Sequence, residues 1–344
     1  MTRETAVQAE SFARAGFLGN PSDGYFGKTI SFAFDAFRAR VALLESARMR
    51  FIGSDADDVY YNSPAELVHD IRLYGYYGGI RLLKAAAKRF FDYCAESGLE
   101  LPARNFTATY ESDIPRLVGL SGSSAICSAM LKALMRFYGV SIPLDKAAAL
   151  CLEAEREELG IACGLQDRVI QMYGGIVYMD FRRELVEKTG AGEYERLAPE
   201  KLPNLYVAWN TERAGESGKA HGNVRDRFAA GDPAVTGAME RFAEIAREGR
   251  EALLAGDAAA LHRLVDANFD LRATIFDITP ENKAMVAAAR AAGASAKFAG
   301  SGGAIVGTYG DDDQFERLRR NLAAIGCRTI KPRIAFRQGA DERR

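Results

Sequence analysis

The sequence predicts an α+β protein built from two domains. Three observations carry that expectation. Its 344 residues exceed the usual range of a single domain. Short β-rich runs crowd the first third of the chain and are then displaced by long helix-forming stretches. The chain closes on KFAG, AIVGTYG, DDQFERLRRNLAAIG and CRTIKP, a strand–strand–helix–strand succession that reads as one packed layer of sheet and helix.

Taken in order, strands are expected at RAGFLG (14–19), TISFAF (29–34), VALLES (41–46), DVYYN (58–62) and FTATYES (106–112). A helical stretch over about 64–97 interrupts them, with a break at Gly78–Gly79. Helices follow at 123–138, ended by Gly139, and at 143–159, opened by Pro143 and ended by Gly160. The first of these sets Ile126, Met130, Leu134 and Phe137 on one core-facing stripe. After the strand-like GGIVYMDF (174–181), the polar EKTGAGEYERLAPEKLP (187–203) is the best candidate for a domain boundary, dividing the chain into 1–195 and 196–344. NLYVAWN (204–210) opens the second half as a strand.

Composition narrows the function classes. Hydrophobic residues at 48% and charged residues at 26% describe an ordinary soluble globular protein. A net charge of −1 gives no electrostatic case for nucleic acid or an anionic membrane as the main partner. No apolar stretch reaches the roughly 18 residues of a spanning helix, and MTRETAVQAESFA lacks the apolar core of a signal peptide. The five cysteines form no CxxC pair, which fits a reduced, cytoplasmic protein. His69, His221 and His262 are too scattered for a zinc site. The oligomeric state stays open between monomer and homodimer.

The stretch GLSGSSAICSAML (119–131) places Gly119, Gly122 and three serines where a helix begins. A plain N-cap needs one hydroxyl, and the excess of small residues lets a ligand approach the backbone. Unpaired N–H groups and a partial positive charge make such an end a phosphate site; a glycine-rich turn that merely caps a core helix is the other reading. GYFGKT (24–29) ends like a P-loop, but the first required glycine is Ser22. No GxGxxG follows a strand and opens a helix.

Three motifs in order resemble those of the GHMP kinases, the family of galactokinase, homoserine kinase, mevalonate kinase and phosphomevalonate kinase. RAGFLGNPSDGYFGKTISF (14–32) is similar to the N-terminal motif, PRLVGLSGSSA (115–125) to the phosphate loop, and KFAGSGGAIVG (297–307) to the C-terminal glycine loop. Within the family, GNPSD (19–23), CGLQDRVIQMYGG (163–175), SGKAHGNVRDRF (217–228) and NFDLR (268–272) resemble the sugar 1-kinases of the glucuronokinase type. The heptose-phosphate kinases share part of the pattern.

The resemblance implies an N-terminal domain like domain 2 of ribosomal protein S5 and a ferredoxin-like C-terminal domain. It implies ATP and Mg²⁺, and a small-molecule sugar as acceptor, phosphorylated at its anomeric hydroxyl. A uronic acid such as glucuronate comes first, with a heptose phosphate, a neutral sugar or a catalytically silent sugar binder as alternatives. Asp167 matches the catalytic aspartate and Arg14 the basic residue beside it. Gly119, Leu120, Ser121, Gly122, Ser123, Ser124 and Ala125 match the phosphate-binding loop, and Gly300, Ser301, Gly302 and Gly303 the loop that supports it. Ser124 matches the metal-binding hydroxyl, and Glu155, twelve residues before Asp167, is chosen over Glu153, Glu157 and Glu158 as its acidic partner. Asp23 and Tyr25 stand in the sugar-binding motif. Lys219, Arg225 and Arg272 are the candidate cations for a uronate carboxylate, whose burial demands one.

Overall fold

The computed structural model describes residues 6–57, 63–64, 78–210 and 224–336. The expected strand at 58–62 lies outside them, as does Lys219. The chain divides into two compact units. The first gathers residues 1–13, 37–114 and 121–172, the second residues 14–36, 115–120 and 173–344.

Strand β1 spans Val7–Leu18 and β2 spans Lys28–Ser46. The sequence suggests two strands within β2, separated by the polar DAFRAR. The structure runs one strand through both, because that segment keeps the alternation of a half-buried strand. Ala39 is buried, while Arg38 and Arg40 turn to Glu10 at 3.2 and 3.7 Å. Asp35 N–H donates to Arg333 O at 3.1 Å and Ala33 N–H to Gly175 O at 3.0 Å, so the backbone stays paired between the two ladders.

In the first unit, the far half of β2 pairs antiparallel with β4 (Asn105–Ser112), and the short β3 (Arg50–Phe51) runs parallel to β4. Three helices complete the core: α1 (Gly79–Glu96), α2 (Gly122–Tyr138) and α3 (Leu144–Arg156), each packed on the other two. Helix α2 is buried nearly all round, beyond the expected stripe. Ala125, Cys127, Ala129, Leu131 and Ala133 are as enclosed as Ile126, Met130, Leu134 and Phe137, the pattern of a central helix. Helix α3 ends a turn earlier than the sequence suggests. Gly160 takes φ +66°, and the amides of Gly160 and Ile161 fold back onto Arg156 O and Glu155 O at 3.1 and 2.8 Å. Those bonds satisfy carbonyls of the last turn and stop the helix. Helix α4 (Gln166–Tyr173) follows.

In the second unit, the near half of β2 pairs with β5 (Ile176–Asp180), and β5 pairs with β6 (Glu193–Leu197), both antiparallel. A short helix α5 (Arg183–Thr189) links β5 and β6. The polar stretch 187–203 therefore holds a paired strand rather than an open linker.

A separate four-stranded antiparallel sheet is formed by β7 (Asn204–Asn210), β8 (Lys297–Phe298), β9 (Ala304–Tyr309) and β10 (Cys327–Ile330), in the order β10-β7-β9-β8. That order is the ferredoxin-like one. Helices α6 (Pro233–Ala255), α7 (Ala258–Ile275), α8 (Pro280–Ala291) and α9 (Asp312–Ala323) accompany it. Tyr206, Phe269, Met285, Phe298, Ile305, Phe315 and Leu318 meet in its core. Among the described residues no helix is long and apolar enough to cross a membrane.

Candidate active site

The glycine-rich stretch is a helix start of unusual construction. Leu117, Gly119 and Ser121 all take positive φ, at 60°, 74° and 64°. Ser121 occupies the N-cap of α2, yet its side chain makes no cap hydrogen bond. Its hydroxyl instead donates to Asp167 Oδ2 at 2.6 Å. The first intrahelical bond is Ala125 N–H to Ser121 O at 3.1 Å. The amides of Gly122, Ser123 and Ser124 thus precede the ladder and point out of the helix end, where the macrodipole is positive. Ser124 is buried, and its hydroxyl donates to Ser121 O at 3.2 Å.

Asp167 lies in the first turn of α4 and is one-fifth exposed. Arg168 Nη1 lies 3.7 Å from its Oδ2. The principal partner of Arg168 is Glu155: Nε donates to Glu155 Oε2 at 2.7 Å, and Nη2 donates to the same oxygen. Both side chains are buried. Burial disfavours the charged guanidinium, but Glu155, Cys163 and Asp167 together outweigh it and hold its pKa above the ordinary arginine value. Glu155 Oε1 is buried without a hydrogen-bond partner. The other acidic candidates differ: Glu153 accepts from Arg89, Glu158 accepts from Lys88 at 2.8 Å, and Glu157 is exposed at the end of α3. Gln171 Nε2 donates to Ser121 O at 2.9 Å, fixing α4 against the start of α2.

The second unit brings together another group. Arg14, buried at the middle of β1, donates from Nη1 to Gly119 O at 2.7 Å and Ala299 O at 2.8 Å. The loop after β8 crosses Gly119 at backbone distance. A Cβ on Gly300 would fall 2.3 Å from Gly119 O, and one on Gly119 2.9 Å from Gly302 O. Only glycine permits that approach. Lys297, also buried, donates to Gly16 O at 2.7 Å, to Phe298 O at 2.8 Å and to Asn20 Oδ1. Asn268 clasps the same turn, accepting from Gly19 N–H at 2.7 Å and donating to Asn20 O at 3.1 Å. Arg272 donates to Gly300 O and Ser301 O at 3.2 and 3.4 Å.

Asp23 and Tyr25 lie half-buried on the 3₁₀ turn Ser22–Tyr25. The Tyr25 ring packs edge-on against Phe228, with centroids 4.8 Å apart. Burial raises the Tyr25 pKa, Arg225 opposes that, Asp23 adds to it and Arg272 opposes it. Asp23, Arg225 and Arg272 therefore all lie close enough to act on Tyr25, and the fifth expected sugar-binding residue, Lys219, lies outside the described residues.

Family models match the chain twice: the GHMP kinases N terminal domain over residues 81–175 and the GHMP kinases C terminal domain over 250–326. Probable glucuronokinase 2 of Arabidopsis thaliana is 47% identical over 303 residues, 86% of this chain and 82% of that protein. The chain belongs to the GHMP kinase family. Glucuronokinase 1 of the same plant is 44% identical over 88% of this chain and 84% of its own length. The crystal structure of Lactococcus lactis galactokinase complexed with galactose shares the fold, with a TM-score of 0.76 at 14% identity, over 97% of this chain and 94% of that one.

Several residues of this GHMP kinase escape the sequence reading. Arg168, next to Asp167 in the sequence, goes unmarked there, and its main partner is Glu155. Lys297, Asn20, Asn268 and Gln171 go unmarked, although all four sit inside quoted motifs. A lysine in the apolar run AKFAG and an asparagine on the buried side of α7 are the signals available, since a polar group in an apolar setting must find partners.

Proposed function

We propose that this kinase transfers the γ-phosphoryl group of ATP to the anomeric hydroxyl of glucuronate, giving the sugar 1-phosphate and ADP. One observation carries the reading: Ser121 leaves its own helix uncapped and gives its hydroxyl to Asp167. A phosphate-binding helix end and a proton-accepting carboxylate thereby meet on one residue. The acceptor is inferred from the two glucuronokinases, which match over most of the chain.

In this reading the triphosphate lies on the amides of Gly122, Ser123 and Ser124, whose donors and dipole suit an anion. Asp167 takes the proton from the sugar hydroxyl as that oxygen attacks the γ-phosphorus, and ADP leaves from the opposite side. No bond to the protein forms. Ser121 holds the carboxylate in one orientation. Arg14 fixes Gly119 and Ala299, and so the backbone that precedes the helix. Asp23 grips two neighbouring sugar hydroxyls.

Magnesium, if bound, would neutralise part of the phosphate charge. The residues that would hold it are Ser124 and Glu155, and they fit such an ion. Glu155 Oε1 is a buried carboxylate oxygen without a partner, the hard donor that Mg²⁺ prefers. Among the described residues no cluster of three or more His, Cys, Asp and Glu side chains could hold a metal, and an ion carried mainly by phosphates and water needs none. The division at residue 195 is likewise proposed as the boundary between the family's N- and C-terminal domains; the two matched segments fall on either side of it.

The test is a panel of glucuronate, galacturonate, glucose, galactose and a heptose 7-phosphate with ATP and Mg²⁺. It is scored by ADP release and by ³¹P–¹³C coupling at C1 of the product. Glucuronate is expected to exceed the neutral sugars in kcat/KM by at least about tenfold. A winning neutral sugar or heptose phosphate would leave a kinase with a different acceptor.

A further inference from the structure

Two of the cations near Tyr25 are in opposite situations. Arg272 is 3% exposed, and its guanidinium lies over the rings of Phe276 and Phe298, at 4.7 and 5.1 Å from their centroids. Both terminal nitrogens donate to the glycine loop, at Gly300 O and Ser301 O, and Nε is sealed from water without a partner. Burial lowers its pKa to about 10, against the opposing pull of Tyr25 and Asp23. A sugar carboxylate has no open edge of Arg272 to grip without displacing the loop carbonyls. Arg272 braces the loop.

Arg225 is exposed, on the helical turn 224–229. Val224 and Phe228 anchor that turn: Val224 is buried in the cluster that includes Phe276 and Ile275, and Phe228 meets the Tyr25 ring. One turn of backbone therefore fixes the Cα of Arg225 next to the sugar motif, while its side chain stays available. Arg227, two residues on, spends its Nε on Asp232 at 2.8 Å. Among the described residues Arg225 has neither hydrogen bond nor ion pair. Its guanidinium keeps five donors in a planar fork that matches a carboxylate.

We propose that Arg225, held beside Tyr25, binds the carboxylate of the acceptor and makes the site select uronic acids over neutral sugars. The inference rests on the reading of the chain as a uronate kinase. Arg225 determines specificity and takes no part in phosphoryl transfer. A neutral sugar loses nothing when the guanidinium is removed, whereas a uronate loses its counter-charge.

The experiment compares wild type, Arg225→Gln and Arg225→Lys with glucuronate and with glucose, in kcat/KM and in thermal melting. Arg225→Gln is expected to lose about 10–100-fold with glucuronate, mostly in KM, the range of a hydrogen bond to a charged group. Its rate with glucose should stay within about twofold, since no interaction with that acceptor is removed. Arg225→Lys keeps the charge without the fork and should fall between. Arg272→Met serves as the contrast, lowering kcat with both acceptors alike. Equal losses with both sugars in Arg225→Gln, or an undiminished preference for glucuronate, would overturn the assignment while leaving the uronate kinase in place. A wild-type enzyme that prefers glucose would overturn the acceptor reading itself, and this inference with it.

Discussion

Helices α6, α7, α8 and α9 each begin under a side chain that closes the end. Asp232 accepts from Ala234 N–H, Asp257 from Ala260 N–H, Thr279 from Asn282 N–H and Asp311 from Gln314 N–H. Helix α2 begins under a serine that is chemically able to do the same and does not. A cap is worth about 1 kcal/mol, so the chain forgoes that stabilisation at Ser121. It keeps all three amides of the positive helix end free, including the one a cap would occupy, and gains a hydroxyl anchor for Asp167. Helices α1, α3 and α5 also start without a side-chain cap, but under Gly78, Pro143 and Arg182. Only at α2, among the described helices, is a capping serine turned elsewhere, and in the proposed reading that start serves phosphate.

That contrast is broken most severely at Asp167. Asp167→Asn keeps the shape of the side chain but cannot take a proton, and turnover should fall by about 10²–10⁴. ATP affinity, measured by calorimetry, should stay near wild type. Glu155→Gln strikes the buried pair behind the site. Arg168 is left as a buried cation without its anion, and urea unfolding should show a loss of ~3–5 kcal/mol. The Mg²⁺ concentration for half-maximal rate should rise as well. If that variant is too unstable to assay, Glu155→Leu combined with Arg168→Met removes both charges. It should recover most of the stability and keep the raised Mg²⁺ requirement.

Ser121→Gly separates the hydroxyl from the backbone. Glycine accepts φ +64° without strain, so only the bond to Asp167 is lost, and kcat should drop about tenfold with melting little changed. Asp257→Ala is the mirror experiment at a capped start: about 1 kcal/mol less stability, with kcat and KM unchanged.

Much of this was legible in the sequence, in particular kinds of places. The C-terminal sheet declared itself, because KFAG, AIVGTYG and CRTIKP are short β-rich runs bounded by turn residues. The helix expected at DDQFERLRRNLAAIG starts at Asp312 under an ordinary Asp311 cap. The phosphate-loop and glycine-loop motifs point to Ser124 and the glycine loops by resemblance, and CGLQDRVIQMYGG points to Asp167 in the same way. What stayed hidden depends on chain segments meeting. The joining of two strands into β2 needs Glu10 opposite Arg38, and no local pattern announces that partner. The Glu155–Arg168 pair links a helix end to the turn after a loop, and four glutamates within six residues look alike until burial separates them. Lys297 and Arg272 bond mostly to backbone carbonyls; AKFAG signals a buried lysine, but nothing in the sequence names its carbonyl partners.

The amides themselves give the most direct test of phosphate binding at this helix start. In ¹H–¹⁵N spectra recorded while a non-hydrolysable ATP analogue and Mg²⁺ are added, the resonances of Gly122, Ser123 and Ser124 should move downfield as they bond to phosphate. Those of Ala234, Ala260, Asn282 and Gln314, already bonded to their caps, should hardly move. Unshifted resonances at 122–124 in a nucleotide-saturated sample would contradict the assignment of this helix start to phosphate.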